Sequence, residues 1–298
     1  MQHVGFVGLG TMGRHMARNL MKAGFRLSVF ARRDDAAREF VEAGAERVAT
    51  PAELARRCDA VVTIVTADAQ VREVVCGADG LIEGVSAGRL VLDMSTIGPG
   101  TARDVAAALR AKGAAFLDAP VSGGPWGAEA ATLAIMCGGA EADYQRALPI
   151  LRALGKHLFH CGPVGAGQTV KLVNQMIGGG IMALIAEGLT LARKAGVDSA
   201  QMVDVLSVSS GNSSLLEARG KKFILADSYV PGFMTELMRK DMALAVSLAQ
   251  DLKSPTPVAA GALQMFTAAL NQGLGEADFS AVVKVYEQAA GVKITDAG

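Results

Sequence analysis

The chain has 298 residues, of which 51% are hydrophobic and 19% are charged. This length favours two medium-sized domains, and the composition is typical of a folded α/β enzyme rather than a disordered chain. Lys plus Arg and Asp plus Glu both total 29, so the chain as a whole presents no basic field for a nucleic acid or an anionic membrane. The four cysteines are scattered, without the paired spacing of a zinc site, and we expect neither a metal site nor a redox role.

Two segments of the sequence are informative about the cellular location of the protein. Met1 is followed almost at once by an apolar strand pattern, without the basic region and cleavage site of a signal peptide, so we expect a cytoplasmic protein. Residues 172–192 are apolar enough to resemble a membrane span, but they include Asn174, Gln175, Glu187 and four glycines. A lipid-exposed helix would hold these residues at a cost, so a buried helix and no membrane contact are predicted.

Short apolar runs alternate with helical stretches from residue 3 to about residue 160. Strands are predicted at 4–7, 27–30, 60–65, 90–94, 115–117, 133–137 and 158–159, and helices between them include 12–23, 101–112 and 142–154. This alternation predicts a parallel sheet covered by helices on both faces. Right-handed crossovers would make it a doubly wound, Rossmann-type α/β domain.

The pattern changes after Gly162-Pro-Val-Gly165, where long helical periodicities replace strands. We therefore predict a Rossmann-type domain over residues 1–163 and an all-α substrate and oligomerisation domain over 164–298. The second domain begins with a long interdomain helix over about 166–195. Because this helix is long and apolar, we expect part of it to be buried against another subunit, which predicts a homodimer or homotetramer. Its glycines at 178–180 weaken it by about 1 kcal/mol each relative to alanine, which close helix packing or a functional kink would explain.

A glycine-rich turn joins the first predicted strand to the first predicted helix. Its residues are Gly8, Leu9, Gly10, Thr11, Met12 and Gly13, all of which we predict to bind a dinucleotide. Gly8 permits the tight turn, Gly10 lets the backbone approach a pyrophosphate, and Gly13 lets helix and strand pack closely. The phosphates would lie at the positive end of the helix, whereas the alternative is a plain glycine turn.

Two arginines follow the second predicted strand, where an NAD-specific site usually offers an acid to the ribose hydroxyls. Arg32 and Arg33 suit a 2′-phosphate because guanidinium groups match phosphate geometry, so NADP is the preferred cofactor. Asp34 and Asp35 leave NAD as the alternative cofactor, because either could bind the ribose hydroxyls; otherwise they cap the helix that follows.

Further motifs occur in order along nearly the whole chain. They are Met16-Ala-Arg-Asn-Leu-Met-Lys-Ala-Gly24, Asp93-Met-Ser-Thr-Ile97, Asp118-Ala-Pro-Val-Ser-Gly-Gly-Pro125, Gly162-Pro-Val-Gly-Ala-Gly167, Lys171-Leu-Val-Asn174 and Lys240-Asp241. Together with the glycine turn, they resemble the motifs of the β-hydroxyacid dehydrogenase family, which includes 3-hydroxyisobutyrate dehydrogenase and tartronate semialdehyde reductase.

The resemblance implies an NAD(P)-dependent oxidoreductase that interconverts a small β-hydroxy acid and its semialdehyde. It implies that Thr96 and Lys240 contact the cofactor, and that Ser122, Gly123 and Gly124 hold the substrate carboxylate. It also implies that Lys171 is the catalytic acid and base. Asn174 lies three residues further on the same predicted helix, so both side chains share a face and can reach one oxygen. Without the resemblance, an ordinary turn and a solvated lysine are the simpler interpretations.

Departures from the family pattern leave the substrate open. The residue after Asn174, which is a second asparagine in many members, is Gln175 in this chain. In this respect the chain resembles the tartronate semialdehyde reductases, whereas Phe279 stands where that group often has histidine. Ala131 replaces a usual glycine, and Trp126 would either wall the substrate pocket or serve packing. The rival functions are an imine reductase on the same fold and a non-catalytic NADP-binding sensor or scaffold, and the presence of Lys171 argues against both.

Overall fold

The computed structural model describes residues 1–295, and the chain divides into two compact units, Met1–Lys171 and the residues from Leu172 onwards. The division falls within the long helix α9 (Ala166–Lys194). The first turn of this helix is hydrogen-bonded to the sheet of the first unit, which places it with that unit. The boundary between residues 163 and 164 stays a prediction.

The first unit contains a nine-stranded sheet. Its strands are β1 (His3–Val7), β2 (Arg26–Phe30), β3 (Glu46–Arg47), β4 (Ala60–Thr63), β5 (Leu90–Asp93), β6 (Ala115–Asp118), β7 (Val121–Ser122), β8 (Leu133–Gly138) and β9 (Gly155–Gly162). Their order is β3-β2-β1-β4-β5-β6-β8-β7, with β9 on β8. All neighbours from β3 to β6 pair in parallel, which confirms the predicted Rossmann-type domain.

The remaining strands break the parallel pattern. β8 runs antiparallel to both β6 and β7, and β9 is parallel to β8. The chain reverses between β6 and β8 through β7 and a short helix, without a long crossover helix that would return it parallel. The two-residue strands β3 and β7 were not predicted because so few residues carry no readable period.

Eight helices of the first unit cover the sheet. They are α1 (Gly13–Lys22), α2 (Asp34–Glu42), α3 (Pro51–Arg57), α4 (Asp68–Cys76), α5 (Leu81–Gly84), α6 (Pro99–Ala111), α7 (Gly124–Glu129) and α8 (Glu141–Leu154). Along β5, Leu90 and Leu92 belong to one hydrophobic core and Val91 belongs to a second core. Because alternate side chains point to opposite faces, burial on both faces explains why this strand is a continuous apolar run.

The second unit is helical. After most of α9 it contains α10 (Ser199–Ser207), α11 (Ser214–Arg219), a π-helical turn (Gly220–Ile224), α12 (Thr235–Asp251), α13 (Pro257–Asn271), a 3₁₀ turn (Phe279–Val282) and α14 (Val283–Ala290). No strand follows β9 in residues up to 295, apart from an isolated bridge between Met234 and Asp278. This arrangement confirms the predicted all-α second part with its long helix.

Close packing accounts for the middle of the glycine triplet in α9. A Cβ atom on Gly179 would lie 2.3 Å from the sulfur of Met242 on α12, whereas one on Gly180 would meet nothing within 4 Å. The helix runs unbroken through these residues. Of the two explanations offered by the sequence, helix packing therefore applies at Gly179.

α9 is buried along one face only. Leu172, Met182 and Leu189 are buried, whereas Leu184 and Leu191 are exposed. Among residues 1–295 it is the one helix long and apolar enough to cross a membrane, a property shared by core helices of soluble proteins, and 39% of its most apolar window is buried. The helix is therefore less buried than its sequence predicts.

Candidate functional site

Most of the predicted cofactor-binding residues lie at the carboxyl ends of the parallel strands. The glycine turn follows β1, Arg32 follows β2 and Thr96 follows β5. Because these strands are parallel, the three segments lie along one edge of the sheet. β1 has β2 on one side and β4 on the other, which makes it the switch point where doubly wound sheets bind ligands.

The glycine turn has the shape that a pyrophosphate requires. Gly8 has φ +102° and a Cβ there would lie 1.9 Å from the carbonyl oxygen of Ile64, while a Cβ on Gly13 would lie 1.8 Å from the carbonyl oxygen of Gly8. Gly10 has nothing within 4 Å of the corresponding position, so its backbone is open to an approaching ligand at the start of α1. The turn therefore fits a dinucleotide. Leu9 and Met12 pack against the core, whereas Thr11 is exposed.

The two arginines after β2 differ in their surroundings. Both are exposed, but Nε of Arg33 lies 3.5 Å from Asp35. Asp34 pairs with Arg47 at 2.6 Å, and both aspartates lie in the first turn of α2, where negative charge is favourable. Arg32 has no ion pair with any of residues 1–295, so its guanidinium group is the available one.

A buried carboxyl group lies at the end of β5, before the loop that carries Thr96. Oδ1 of Asp93 accepts hydrogen bonds from the hydroxyls of Thr63 and Ser95, each at 2.7 Å, and Oδ2 has no partner among the described residues. Burial raises the pKa of Asp93 to about 7, against the opposing effect of these hydrogen bonds. The loop therefore begins at a fixed buried point whose charge changes near neutral pH.

A second buried carboxyl group, at the end of β6, holds the start of α9. Oδ1 of Asp118 accepts from the backbone N–H of Gly165 at 2.7 Å, and Oδ2 accepts from that of Gln168 at 2.8 Å. Burial raises the pKa of Asp118 to about 6, although the backbone N–H donors favour its ionised form. The carboxylate thus caps the helix that carries Lys171 from another element.

The predicted carboxylate loop lies between β7 and α7. Ser122 is partly buried, and Gly123 and Gly124 have φ values of +138° and +63°, which a residue with a side chain rarely adopts. The side-chain amide of Asn19 on α1 donates to the carbonyl oxygen of Ala128 at 2.6 Å and ties α7 to the helix after the glycine turn. The loop therefore has a defined backbone conformation next to a helix that is anchored to α1.

Lys171 is buried, with 6% of its surface exposed. The interpretation of this residue as a solvated helix lysine is therefore wrong. Burying an ammonium group is costly unless it has partners or a function, and Lys171 does take part in a polar or electrostatic contact.

A polar chain in the second unit connects Asn174 with Lys240. The amide of Asn174 donates to Gln175 at 3.1 Å, and the amide of Gln175 donates to Asp241 at 2.7 Å. Nζ of Lys240 lies 3.0 Å from the other oxygen of Asp241, which is itself buried. The predicted residues of this unit are thus linked through Gln175 and Asp241.

The predicted residues fall into two groups. The first unit contains the glycine turn, the two arginines, Thr96, the Ser122 loop and Lys171, whereas the second unit contains Asn174 and Lys240.

The structure of residues 1–295 contains no cluster of three or more His, Cys, Asp or Glu side chains that could hold a metal ion.

Two family models together match nearly the whole chain. Residues 3–162 match the NAD binding domain of 6-phosphogluconate dehydrogenase, and residues 165–286 match the NAD-binding domain of NADP-dependent 3-hydroxyisobutyrate dehydrogenase. The chain belongs to the β-hydroxyacid dehydrogenase family.

Full-length relatives agree with this membership. A 2-(hydroxymethyl)glutarate dehydrogenase of Eubacterium barkeri is 37% identical over 98% of this chain and 97% of its own length. A 3-hydroxyisobutyrate dehydrogenase of Pseudomonas aeruginosa is 39% identical over 96% of this chain and 99% of its own. A solved Mycobacterium tuberculosis 3-hydroxyisobutyrate dehydrogenase with L-serine is 33% identical, with a TM-score of 0.87 over 95% of this chain and 98% of that one.

The family assigns the general activity. This β-hydroxyacid dehydrogenase is an NAD(P)-dependent oxidoreductase of small hydroxy acids, as the sequence motifs imply. A solved imine reductase of a Pseudomonas species shares the fold at 20% identity and a TM-score of 0.61, which concerns the fold alone. Neither that activity nor a non-catalytic role is favoured.

Several buried residues of the site were missed by sequence reasoning. Asp118 and Asp93 each end an apolar strand and open a recognised motif, so an acid in such a position was an available signal. Asn19 and Asp241 also lie within recognised motifs, but their partners are far away in the sequence. Gln168 lies outside the motifs and gave no comparable signal.

Proposed function

We propose that this enzyme interconverts a C3 or C4 β-hydroxy acid and its semialdehyde, with NADP as the preferred cofactor and Lys171 as the proton-transfer residue. The observation that carries the proposal is the burial of Lys171 on a helix whose first turn is hydrogen-bonded to the cofactor edge of the sheet. A buried lysine in such a place is a functional candidate.

The proton has a defined route in this proposal. The nicotinamide, when bound, supplies or accepts the hydride. Lys171 donates a proton from Nζ to the carbonyl oxygen during reduction and accepts the hydroxyl proton during oxidation. Asn174, three residues further along the same helix, donates a hydrogen bond to that oxygen. The Ser122 hydroxyl and the backbone N–H groups of Gly123 and Gly124 bind the substrate carboxylate.

The names of the relatives suggest the substrate class. 3-Hydroxyisobutyrate, 2-(hydroxymethyl)glutarate and L-serine share a primary alcohol on the carbon β to a carboxylate and differ in the substituent on the carbon between them. We infer a substrate of this kind, of the 3-hydroxyisobutyrate type or the glycerate and tartronate semialdehyde type, whose carboxylate is held by the Ser122 loop.

Initial-rate spectrophotometry at the absorbance of reduced nicotinamide tests the activity. The substrates are 3-hydroxyisobutyrate, L-serine, 2-(hydroxymethyl)glutarate and tartronate semialdehyde, with each cofactor. Lys171→Ala should lower kcat by about 10²- to 10⁴-fold and leave dinucleotide affinity nearly unchanged, whereas Lys194→Ala, at the exposed end of the same helix, should match the wild type. A fully active Lys171→Ala enzyme would refute the role of Lys171.

The preference for NADP is assigned to Arg32 rather than equally to both arginines. Arg33 is already beside Asp35, so Arg32→Ala should lower the preference for NADPH over NADH more than Arg33→Ala does. Loss of a charge-assisted hydrogen bond predicts a change of about 10- to 100-fold, measured as the ratio of the two kcat/KM values. Equal effects of the two substitutions would contradict the assignment.

We further propose that the enzyme assembles as a homodimer or homotetramer through α9. Ile177, Leu184 and Leu191 are exposed and recur at every seventh position, which places them along one stripe of the helix. Leu184→Glu should lower the molar mass in sedimentation at micromolar concentration, and a wild-type monomer would contradict the proposal. The cytoplasmic location expected from the sequence stays a prediction.

A further inference from the structure

Gln168 is a fully buried polar residue that the proposed proton route does not use. Its side-chain oxygen accepts from the backbone N–H of Ile97 at 3.1 Å, and its side-chain nitrogen donates to the carbonyl oxygen of Ser95 at 2.8 Å. The amide therefore binds the main chain on both sides of Thr96. These are the backbone groups that a neighbouring strand would otherwise bind.

The main chain of Gln168 is fixed as well. Its N–H group donates to Asp118 at 2.8 Å, and the N–H group of Gly165 donates to the same carboxylate at 2.7 Å. Asp118 ends a strand in the buried sheet, so the first turn of α9 is attached to a rigid element. The side chain of Gln168 then joins this turn to the loop that carries Thr96.

Lys171 lies three residues after Gln168 on α9, where the two side chains share a face of the helix. We propose that Gln168 is a positioning residue that fixes Lys171 relative to the Thr96 loop. The inference rests on the proposed roles of Lys171 and Thr96. A displacement of about 1 Å in an active site can cost about 10²-fold in rate, so loss of this tie should act on kcat.

The two hydrogen bonds of Gln168 demand a group that both accepts and donates. An ionised glutamate at this position could accept from Ile97 but would face the carbonyl oxygen of Ser95 with a second acceptor. A protonated glutamate could accept and donate, as the amide does. Leucine could do neither. Gln168→Glu keeps nearly the same side-chain volume, and its protonation state decides whether both hydrogen bonds to the Thr96 loop can form. The substitution therefore tests the role of these two hydrogen bonds.

The elements around Gln168 and the Thr96 loop carry other ionisable groups. They include Asp68 on α4, Asp93 on β5, Arg103 on α6, Asp118 on β6 and Lys171 on α9. Burial and the carboxylates raise the pKa of an acid at this position, whereas the cations lower it. For this reason the comparison is made as a ratio to the wild type at each pH.

The experiment measures kcat, KM for the hydroxy acid and dinucleotide Kd for the wild type, Gln168→Glu and Gln168→Leu. Gln145→Glu, on α8 with an exposed hydrogen bond, is the matched control. Gln168→Leu should lose about 10²-fold in kcat with a much smaller change in KM and Kd. Gln168→Glu should show this loss at alkaline pH and regain activity relative to the wild type as the pH falls. The control should follow the wild type throughout.

Amide hydrogen exchange of the cofactor-free protein gives a second readout. The N–H group of Ile97 should exchange faster in Gln168→Leu than in the wild type, because its acceptor is gone. If Gln168→Leu does not fold, the pH-dependent ratio of Gln168→Glu and its Ile97 exchange decide the question. A ratio that stays constant with pH, or wild-type kcat in both folded variants, would overturn the inference.

The outcomes separate this inference from the proposed function. A fully active Lys171→Ala enzyme would remove the proposed role of Lys171 and the positioning role with it. An inactive Lys171→Ala enzyme beside a fully active Gln168→Leu enzyme would remove the positioning role alone.

Discussion

Single residues of the glycine turn are constrained in two different ways. Gly8 is required by the protein itself, because a Cβ there would lie 1.9 Å from the carbonyl oxygen of Ile64 and its φ is +102°. Gly10 has no protein atom within 4 Å of its Cβ position. No contact within the protein therefore requires a glycine there, and in the proposed site this is the space through which the dinucleotide approaches.

Gly10→Ala should consequently lose binding without losing stability. We expect its free energy of unfolding to stay within about 1 kcal/mol of the wild type, while NADPH affinity falls by about 10-fold or more because the methyl group occupies the approach to the backbone. Urea unfolding and fluorescence titration measure the two quantities. Gly8→Ala is the contrast, and should lose several kcal/mol of stability, about 3 or more. Unchanged NADPH affinity in Gly10→Ala would contradict the assignment of the turn.

Ala131 has a left-handed backbone conformation, with φ 55°. The left-handed conformation costs a residue with a side chain about 1–2 kcal/mol, while glycine adds about 0.4–1 kcal/mol of chain entropy to the unfolded state. Ala131→Gly should therefore raise the free energy of unfolding by about 0.5–1 kcal/mol, measured by urea unfolding. A loss of stability would show that the methyl group makes compensating contacts.

At the scale of elements, α9 contains glycines that weaken a helix, although it runs unbroken from Ala166 to Lys194. Gly180 has nothing near its Cβ position, whereas Gly179 is pressed against the sulfur of Met242. Helix propensity alone acts at Gly180, and packing between α9 and α12 opposes a side chain at Gly179.

This difference predicts opposite effects of the same substitution. Gly180→Ala should stabilise the protein by about 1 kcal/mol through helix propensity. Gly179→Ala should destabilise it by about 1–3 kcal/mol because Met242 must move. Thermal and urea unfolding of the two variants check the prediction, and a stabilised Gly179→Ala would show that Met242 yields without cost.

At the scale of the whole molecule, two buried carboxyl groups link stability to pH. Burial raises the pKa of Asp93 to about 7 and that of Asp118 to about 6, from an ordinary value of 3.8. Between these values and 3.8 the folded state binds more protons than the unfolded state, so stability from these groups is fully present below the unfolded pKa and is lost as the pH rises through the folded values.

The two groups should therefore lower the free energy of unfolding as the pH rises from about 4 to about 8. Asp93→Asn should flatten this dependence near pH 7, whereas Asp251→Asn at an exposed site should not alter it. Urea unfolding at several pH values gives the measurement. An Asp93→Asn curve parallel to that of the wild type would exclude titration of Asp93 in this range.

The sequence by itself determined the sheet domain, the helical second part and the family. Strand and helix periods are local, so the alternation of apolar runs predicts the parallel strands, and the glycine turn predicts where the cofactor edge begins. Lys171, Ser122 and Thr96 were predicted as site residues because they lie in recognised motifs, which are also local patterns.

Only the tertiary structure decided what surrounds those residues. The burial of Lys171, the tie between Gln168 and the Thr96 loop, and the cap that Asp118 provides for α9 join residues from different strands and helices. The antiparallel direction of β8 likewise depends on how the chain returns after the Ser122 loop. Such contacts depend on the alignment of distant segments in the folded chain, and no local period in the sequence records that alignment.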